Sequence, residues 1–172
     1  DEELQTLQRE VQRMLGRCLL RLQQYEQLMK AIVAHHEISA SGSPFESNQA
    51  ERIADAASKT LGTLVGTLLG TYVTSGEQED VAETDAPDNI ISFKMKMSLR
   101  MSADDYDRTQ NDLKELVLLR NNLVHHFIDQ HDLWNLDGCR GAQESLVAAY
   151  SRIDQHFEQL RGWAEHMDQA RR

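Results

Sequence analysis

The chain has 172 residues, 40% apolar and 27% charged, with two Pro and 6% aromatic residues; that suffices for one domain with its own core and, being rich in Leu, Gln, Ala and Glu, favours helix. The net charge of −10, with no Lys/Arg stripe, excludes broad salt-driven binding to nucleic acid. Six of the acids fall within residues 76–89 (GEQEDVAETDAPDN), and setting them aside takes the charge from −10 to −4, which leaves room for a local basic site.

Cys18 and Cys139 fit no metal or redox spacing. They read as reduced thiols of a cytoplasmic protein, with a disulfide between them left open. The sequence opens at Asp1 rather than Met, which reads as a trimmed product and leaves an upstream signal open. The longest apolar run, 13 residues from Leu61 to Val73 with three Thr, is too short and too polar to span a bilayer, so no membrane partner is expected.

In chain order, Leu4, Leu7, Val11, Met14, Cys18, Leu22, Tyr25, Met29 and Ile32 recur at spacings of three and four and predict one long helix over 2–36. A second helix is expected from the capping box Ser43-Pro44-Phe45-Glu46 to about Val73. Within it Gly62, Gly66 and Gly70 recur every fourth residue, each followed by Thr. Each Gly costs a helix interior about 1 kcal/mol relative to Ala. The stripe therefore predicts a close backbone neighbour, either a second helix of the same chain or a second subunit. A strand over 64–74 is the alternative.

The acidic loop over 75–90 is followed by Ile91, Phe93, Met95, Met97, Leu99 and Met101 alternating with Ser92, Lys94, Lys96, Ser98 and Arg100. Period two over this stretch predicts a half-buried strand or extended arm. Its open edge needs a partner, either residues 71–75 or the same strand of a second subunit. Lys94, Lys96 and Arg100 on its polar face are the densest basic cluster in the chain. They read as a solvated face or as a contact for RNA phosphates.

The third helix opens at Ser102-Ala-Asp-Asp105 and is expected to run to about Gln130. The fourth begins near Asp137-Gly138 and runs to about residue 170, with Leu146, Tyr150, Ile153, Phe157, Leu160, Ala164 and Met167 in an unbroken heptad. His156, beside Phe157, reads as a flank of that helix. These elements predict an all-α chain, most simply an antiparallel four-helix bundle, with one extended or β insertion over 75–101 between the second and third helices. His35-His36-Glu37 and His131-Asp132 match no metal-ligand spacing, and no Gly-rich phosphate loop is present, so no cofactor is expected.

One stretch of the third helix resists this reading. Its seam is Leu113, Val117, Arg120, Val124 and Phe127, so Arg120 stands where Leu or Val would be expected. A charge on a seam is costly unless something meets it. No acid lies one turn away on either side, so its partner must come from another helix, another chain or a ligand. Asn121 and His125, four apart, share a flank. His125 lies about 140° around a regular helix from Arg120. The two therefore share a groove only if that groove is wide.

Arg120-Asn121-Asn122-Leu123-Val124-His125 resembles the R-x4-H motif of the HEPN superfamily, helical-bundle proteins that often dimerise through the motif helices and include many metal-independent RNA endonucleases. The resemblance implies a single HEPN-like domain over 1–172; the start at Asp1 and the long charged last helix ending at Arg171-Arg172 leave open that this domain is a fragment of a longer chain. It also implies a homodimer whose cleft joins two Arg120/Asn121/His125 sets, and RNA as substrate or ligand. Imidazole can take or give a proton near neutral pH, and guanidinium can hold a phosphate bidentately. His125 would then be the acid or base, Arg120 the phosphate holder and Asn121 the orienting group. His126 is an auxiliary candidate, disfavoured by spacing. The Tyr that often follows two residues after the motif His is replaced by Phe127, which counts against regulation by modification of that residue. A catalytically silent HEPN module that binds RNA or protein is the second reading. A structural bundle that recruits a protein partner through its strand and acidic loop is the third.

Overall fold

A computed structural model describes residues 2–41, 45–76, 92–96, 98–170 and 172, with the backbone alone over 37–41, 45–48 and 92–96. Helices dominate it, in the order α1 (Glu2–His35), β1 (Glu37–Ser41), α2 (Phe45–Ser58), α3 (Leu61–Thr71), β2 (Val73–Ser75), β3 (Ser92–Lys96), β4 (Leu99–Met101), α4 (Ala103–Asn121), a π-helical turn (Asn122–His126), α5 (Phe127–Gln130) and α6 (Leu136–Gln169). No described helix is long and apolar enough to cross a membrane. The described chain divides into two compact units: Asp1–Glu26 with Glu115–Gly162, and Gln27–Lys114 with Trp163–Arg172.

The first unit has a core of helical stripes. Val11, Cys18, Leu22 and Tyr25 from α1 are buried with Leu116, Leu123 and Phe127, and with Leu146, Ile153 and Leu160 from α6. Spacings of three and four keep such residues on one face of each helix. Each large apolar side chain removed from water contributes about 1.5–3 kcal/mol. Cys18 Sγ donates to the Leu146 carbonyl at 3.5 Å. Above the apolar layer, Arg21 Nε donates to Asp154 Oδ1 at 2.8 Å, and its guanidinium lies 3.8 Å from the centre of the Phe157 ring. His156 is not a flank residue. It is buried, with its ring edge-on to Tyr25 at 6.3 Å. The α6 stripe of Ala142, Leu146, Ala149 and Ile153 reaches His156 at the same spacing, which the expected heptad had assigned to Phe157.

The second unit contains the β structure. The single helix expected over about 43–73 is two, because Thr60 starts a new one: its side chain accepts from Thr63 N, capping α3. α3 buries Leu61, Leu64, Val65, Leu68 and Leu69 and turns Gly62, Gly66 and Gly70 to the exposed side. A Cβ on Gly66 or Gly70 would meet nothing within 4 Å. Among the described residues, no close neighbour of the kind the stripe predicted inside the chain lies around these two glycines.

The expected strand over 91–101 is two short strands in two sheets. β3 pairs antiparallel with β1, Ser39 opposite Lys94 and Glu37 opposite Lys96. β4 pairs parallel with β2, Val73 opposite Leu99 and Ser75 opposite Met101. Residues 71–75 were one of the two expected partners and hold β2, whereas no strand was expected over 37–41. The Ser43-Pro44 cap and nearly all of the acidic loop, from residue 77 onward, lie outside the described residues.

α4 opens at the predicted cap: Asp105 N donates to Ser102 Oγ at 3.2 Å. Its far end departs from expectation. The helix does not run unbroken to Gln130 but passes through the π turn over Asn122–His126. The buried seam is Leu113, Leu116, Leu123 and Phe127, while Val124, expected on the seam, is exposed.

Candidate Arg–His site on a π turn

A π turn bonds residue i to i+5, adding one residue to the turn. Residues five apart then lie nearly in line, where a regular helix holds them about 140° apart. Arg120 and His125 are five apart, Arg120 on the last turn of α4 and His125 within the π turn. Arg120 Nη1 is 3.5 Å from His125 Nε2, at the outer edge of hydrogen-bond reach. As a hydrogen bond, the contact has the guanidinium as donor and Nε2 as acceptor. No wide groove is needed: one chain brings the two side chains together.

Arg120 meets two further groups. Its Nη1 donates to Asn121 Oδ1 at 3.3 Å, and its Nε lies 3.6 Å from Glu26 Oε1 on α1. Glu26 is the partner that the α4 sequence lacks, so within one chain the charge on the seam is met by another helix. None of the three contacts has the 2.7–2.9 Å length of a tight charge-assisted bond, so the guanidinium is oriented without being locked. It is also only half-buried, with 32% of its side-chain surface exposed. Sequence reasoning missed Glu26. Its one signal is its place directly after the buried seam residue Tyr25, where an acid has few directions open to it.

The other predicted residues fall as follows. His125 and Asn122 are exposed and Asn121 is half-buried. Asn121 meets Arg120 instead of stacking on His125. His126 is exposed, with Nδ1 3.7 Å from Asp129 Oδ2, and its ring centre is 6.3 Å from that of His125. Phe127 is buried beneath the His131 ring, 4.8 Å away; it is a core residue. Asn122 turns to a different flank, lining a cleft of about 330 Å³ with Ser145 and Arg152 of α6. Lys94 and Lys96 are on β3 and Arg100 is on β4, so the three do not share one strand face. Arg100 is exposed. Among the described residues, no three His, Cys, Asp or Glu converge as metal ligands would.

The pair supplies one proton-transfer group and one fixed positive charge within reach of a single bound oxyanion. The apolar surroundings of the motif are unusual too. Leu118, one turn before Asn121 and Asn122, is 62% exposed, and Val124 is 45% exposed. No protein-family model matches the chain, and neither the curated proteins nor the solved structures contain a match to it.

Proposed function

We propose that the protein is an RNA endonuclease that needs no metal and cleaves by attack of the 2′-OH on the adjacent phosphorus. The observation that carries this reading is the Arg120–His125 juxtaposition, 3.5 Å apart where α4 passes into the π turn. π turns inside α-helices occur often at functional sites. In the reaction the 2′-oxygen bonds to phosphorus and gives its proton to an imidazole. The 5′-oxygen leaves and takes a proton, and the products are a 2′,3′-cyclic phosphate and a 5′-hydroxyl. Arg120 holds the non-bridging oxygens and offsets the charge of the transition state.

One imidazole cannot be base and acid in the same concerted step. A homodimer supplies the second, with two Arg120/Asn121/His125 sets facing one cleft. Exposed Leu118 and Val124 beside the motif support this, since apolar side chains flanking a polar site are what a second copy would cover. The HEPN resemblance carries the antiparallel four-helix bundle as the architecture. It also keeps Lys94, Lys96 and Arg100 as candidate RNA contacts of the second unit in their own right.

The test is RNA cleavage in EDTA by the wild-type protein, with cyclic-phosphate ends identified on the product, abolished by Arg120→Ala and by His125→Ala. A verified dimer that cleaves no member of a diverse RNA pool sinks the proposal. Glu26 favours a second reading, the catalytically silent module. Its carboxylate stands by the guanidinium, where it competes with a phosphate. RNA or protein binding without cleavage would select that reading.

A further inference from the structure

Beyond the Arg–His pair, the first unit holds a second built feature on the same helical run. The turn after α5 presents Trp134 with 84% of its surface exposed, although Trp is among the most thoroughly buried residue types on average. The turn is braced on every side. Asp132 Oδ1 accepts from Trp134 N at 3.0 Å, and Asp132 Oδ2 accepts from Asn135 Nδ2 at 2.6 Å. Asn135 Oδ1 then caps α6 by accepting from Gly138 N at 2.7 Å. Gln8 Nε2 on α1 donates to the Leu133 carbonyl at 2.9 Å. Gly138 is required, because a Cβ there would overlap the Asp132 carbonyl. The indole therefore stands in water on a backbone that has little freedom left to lose on binding.

Beside it is a cleft of about 660 Å³, lined by Trp134, Gln8, Gln12, Ile128, Asp129 and residues 130–133. Its volume suits a nucleoside-sized ligand. Its lining has no Lys or Arg and two carboxylates, which disfavours a phosphate inside and leaves the base as the part that enters. Amide groups and a carboxylate match the edge of a base that carries an exocyclic amino group, and an exposed indole offers its face for stacking. Ile128 and Asp129 lie about one helical turn beyond His125, so a strand held at the Arg–His pair passes the mouth of this cleft.

We infer that this cleft is a nucleobase subsite: Trp134 stacks a base of single-stranded RNA next to the scissile phosphate, and the amides with Asp129 favour adenine, cytosine or guanine over uracil. This rests on the endonuclease reading and names the part of the substrate that it selects. The chain has two Trp, so Trp163→Phe leaves Trp134 as the only indole emitter. The probes are 2′-O-methyl oligonucleotides, oligo(A), oligo(C) and oligo(U), which lack the nucleophile and are bound uncut.

Saturating oligo(A) or oligo(C) should quench the emission by half or more. In the wild-type background, Trp134→Ala should weaken binding about 5- to 100-fold by anisotropy of a labelled strand, and oligo(U) should bind several-fold more weakly than oligo(C). Binding with unchanged Trp emission, or with Trp134→Ala equal to wild type, overturns the subsite. If His125→Ala still abolishes cleavage in that case, the endonuclease reading survives the loss. Quenching by a cationic peptide but by no oligonucleotide overturns the subsite in favour of a protein partner. Absence of both RNA binding and RNA cleavage takes down both.

Discussion

Gly62, Gly66 and Gly70 in α3 and Arg120, Asn121 and His125 around the π turn are two places where an apolar helix carries residues foreign to a core. They depart from their sequence reading in opposite ways. The Gly stripe looked like a packing device, yet its side of α3 is exposed and space is open around Gly66 and Gly70. The Arg–His stretch looked like a charge without a partner, yet it meets Glu26, Asn121 and His125. The difference lies in where helical spacing points. Period four in a regular helix puts the glycines on one exposed face, whatever their size. Spacing five has no common face in a regular helix, and the π turn gives it one.

The sharpest way to break this contrast is to remove the functional groups. His125→Ala should lower RNA cleavage by about 10²- to 10⁴-fold, the usual worth of a positioned proton-transfer group, and Arg120→Ala by a comparable factor. His126→Ala should change the rate little, since His126 is turned toward Asp129. Cleavage intact in all three variants would make the Arg–His stretch as inert as the glycines.

Much of the contrast was legible beforehand. The bounds of α1 and α6 and the Ser102 cap follow from apolar period and capping chemistry, and one of the two partners open to the later strand, residues 71–75, pairs with its last part, Leu99–Met101. Arg120 and His125 were identifiable by residue type and spacing. The π turn was not, because residues 120–126 contain neither Gly nor Pro and nothing local marks an added residue. Glu26 was hidden because an ion pair between helices depends on how α1 packs, which period alone does not report. The glycines misled because small residues show where a neighbour could come close, not whether one does. β1 was missed because Glu37–Ser41 carries one large apolar residue, Ile38, too few to show alternation.

The core of the first unit gives the next test. Burial pushes the Cys18 thiol from its ordinary value of 9.0 up to about 11. Such a group favours the folded state fully below pH 9, and that contribution is lost as pH rises through 11. At 1.36 kcal/mol for each pH unit of difference, the loss is roughly 2 to 3 kcal/mol. Urea midpoints should therefore fall between pH 9 and 11, and the fall should be shallower in Cys18→Ala, from whatever starting stability that variant has. Tyr25, raised in the same direction by burial, adds to the slope in both proteins. Equal slopes would mean that Cys18 is more hydrated than its contact with Leu146 implies.

A smaller effect separates the two accounts of Glu26. If its carboxylate orients Arg120, Glu26→Gln should cost cleavage about tenfold, or 1.4 kcal/mol in the barrier, while RNA affinity holds or rises because a competing negative charge has gone. If instead the carboxylate keeps the guanidinium from its ligand, the same substitution should raise binding and cleavage together. The sign of the change in rate decides, and a melting curve for the variant shows whether folding contributes.

The glycines carry the smallest expected effect and the most direct check on the other half of the comparison. At Gly66 and Gly70 an added Cβ meets no neighbour among the described residues, so only the helix-propensity term remains. Gly66→Ala and Gly70→Ala should each stabilise α3 by up to about 1 kcal/mol, which for a chain of this length raises the melting temperature by roughly 2–4 °C. The opposite sign would be informative. If either substitution lowers the melting temperature, and lowers it more as the protein is concentrated, the exposed side of α3 is covered by a second copy in solution. The small residues would then be serving the close approach that their spacing first suggested, between chains instead of within one. Sedimentation of the variant against wild type at matched concentrations separates the two outcomes, since only the second changes the mass of the assembly.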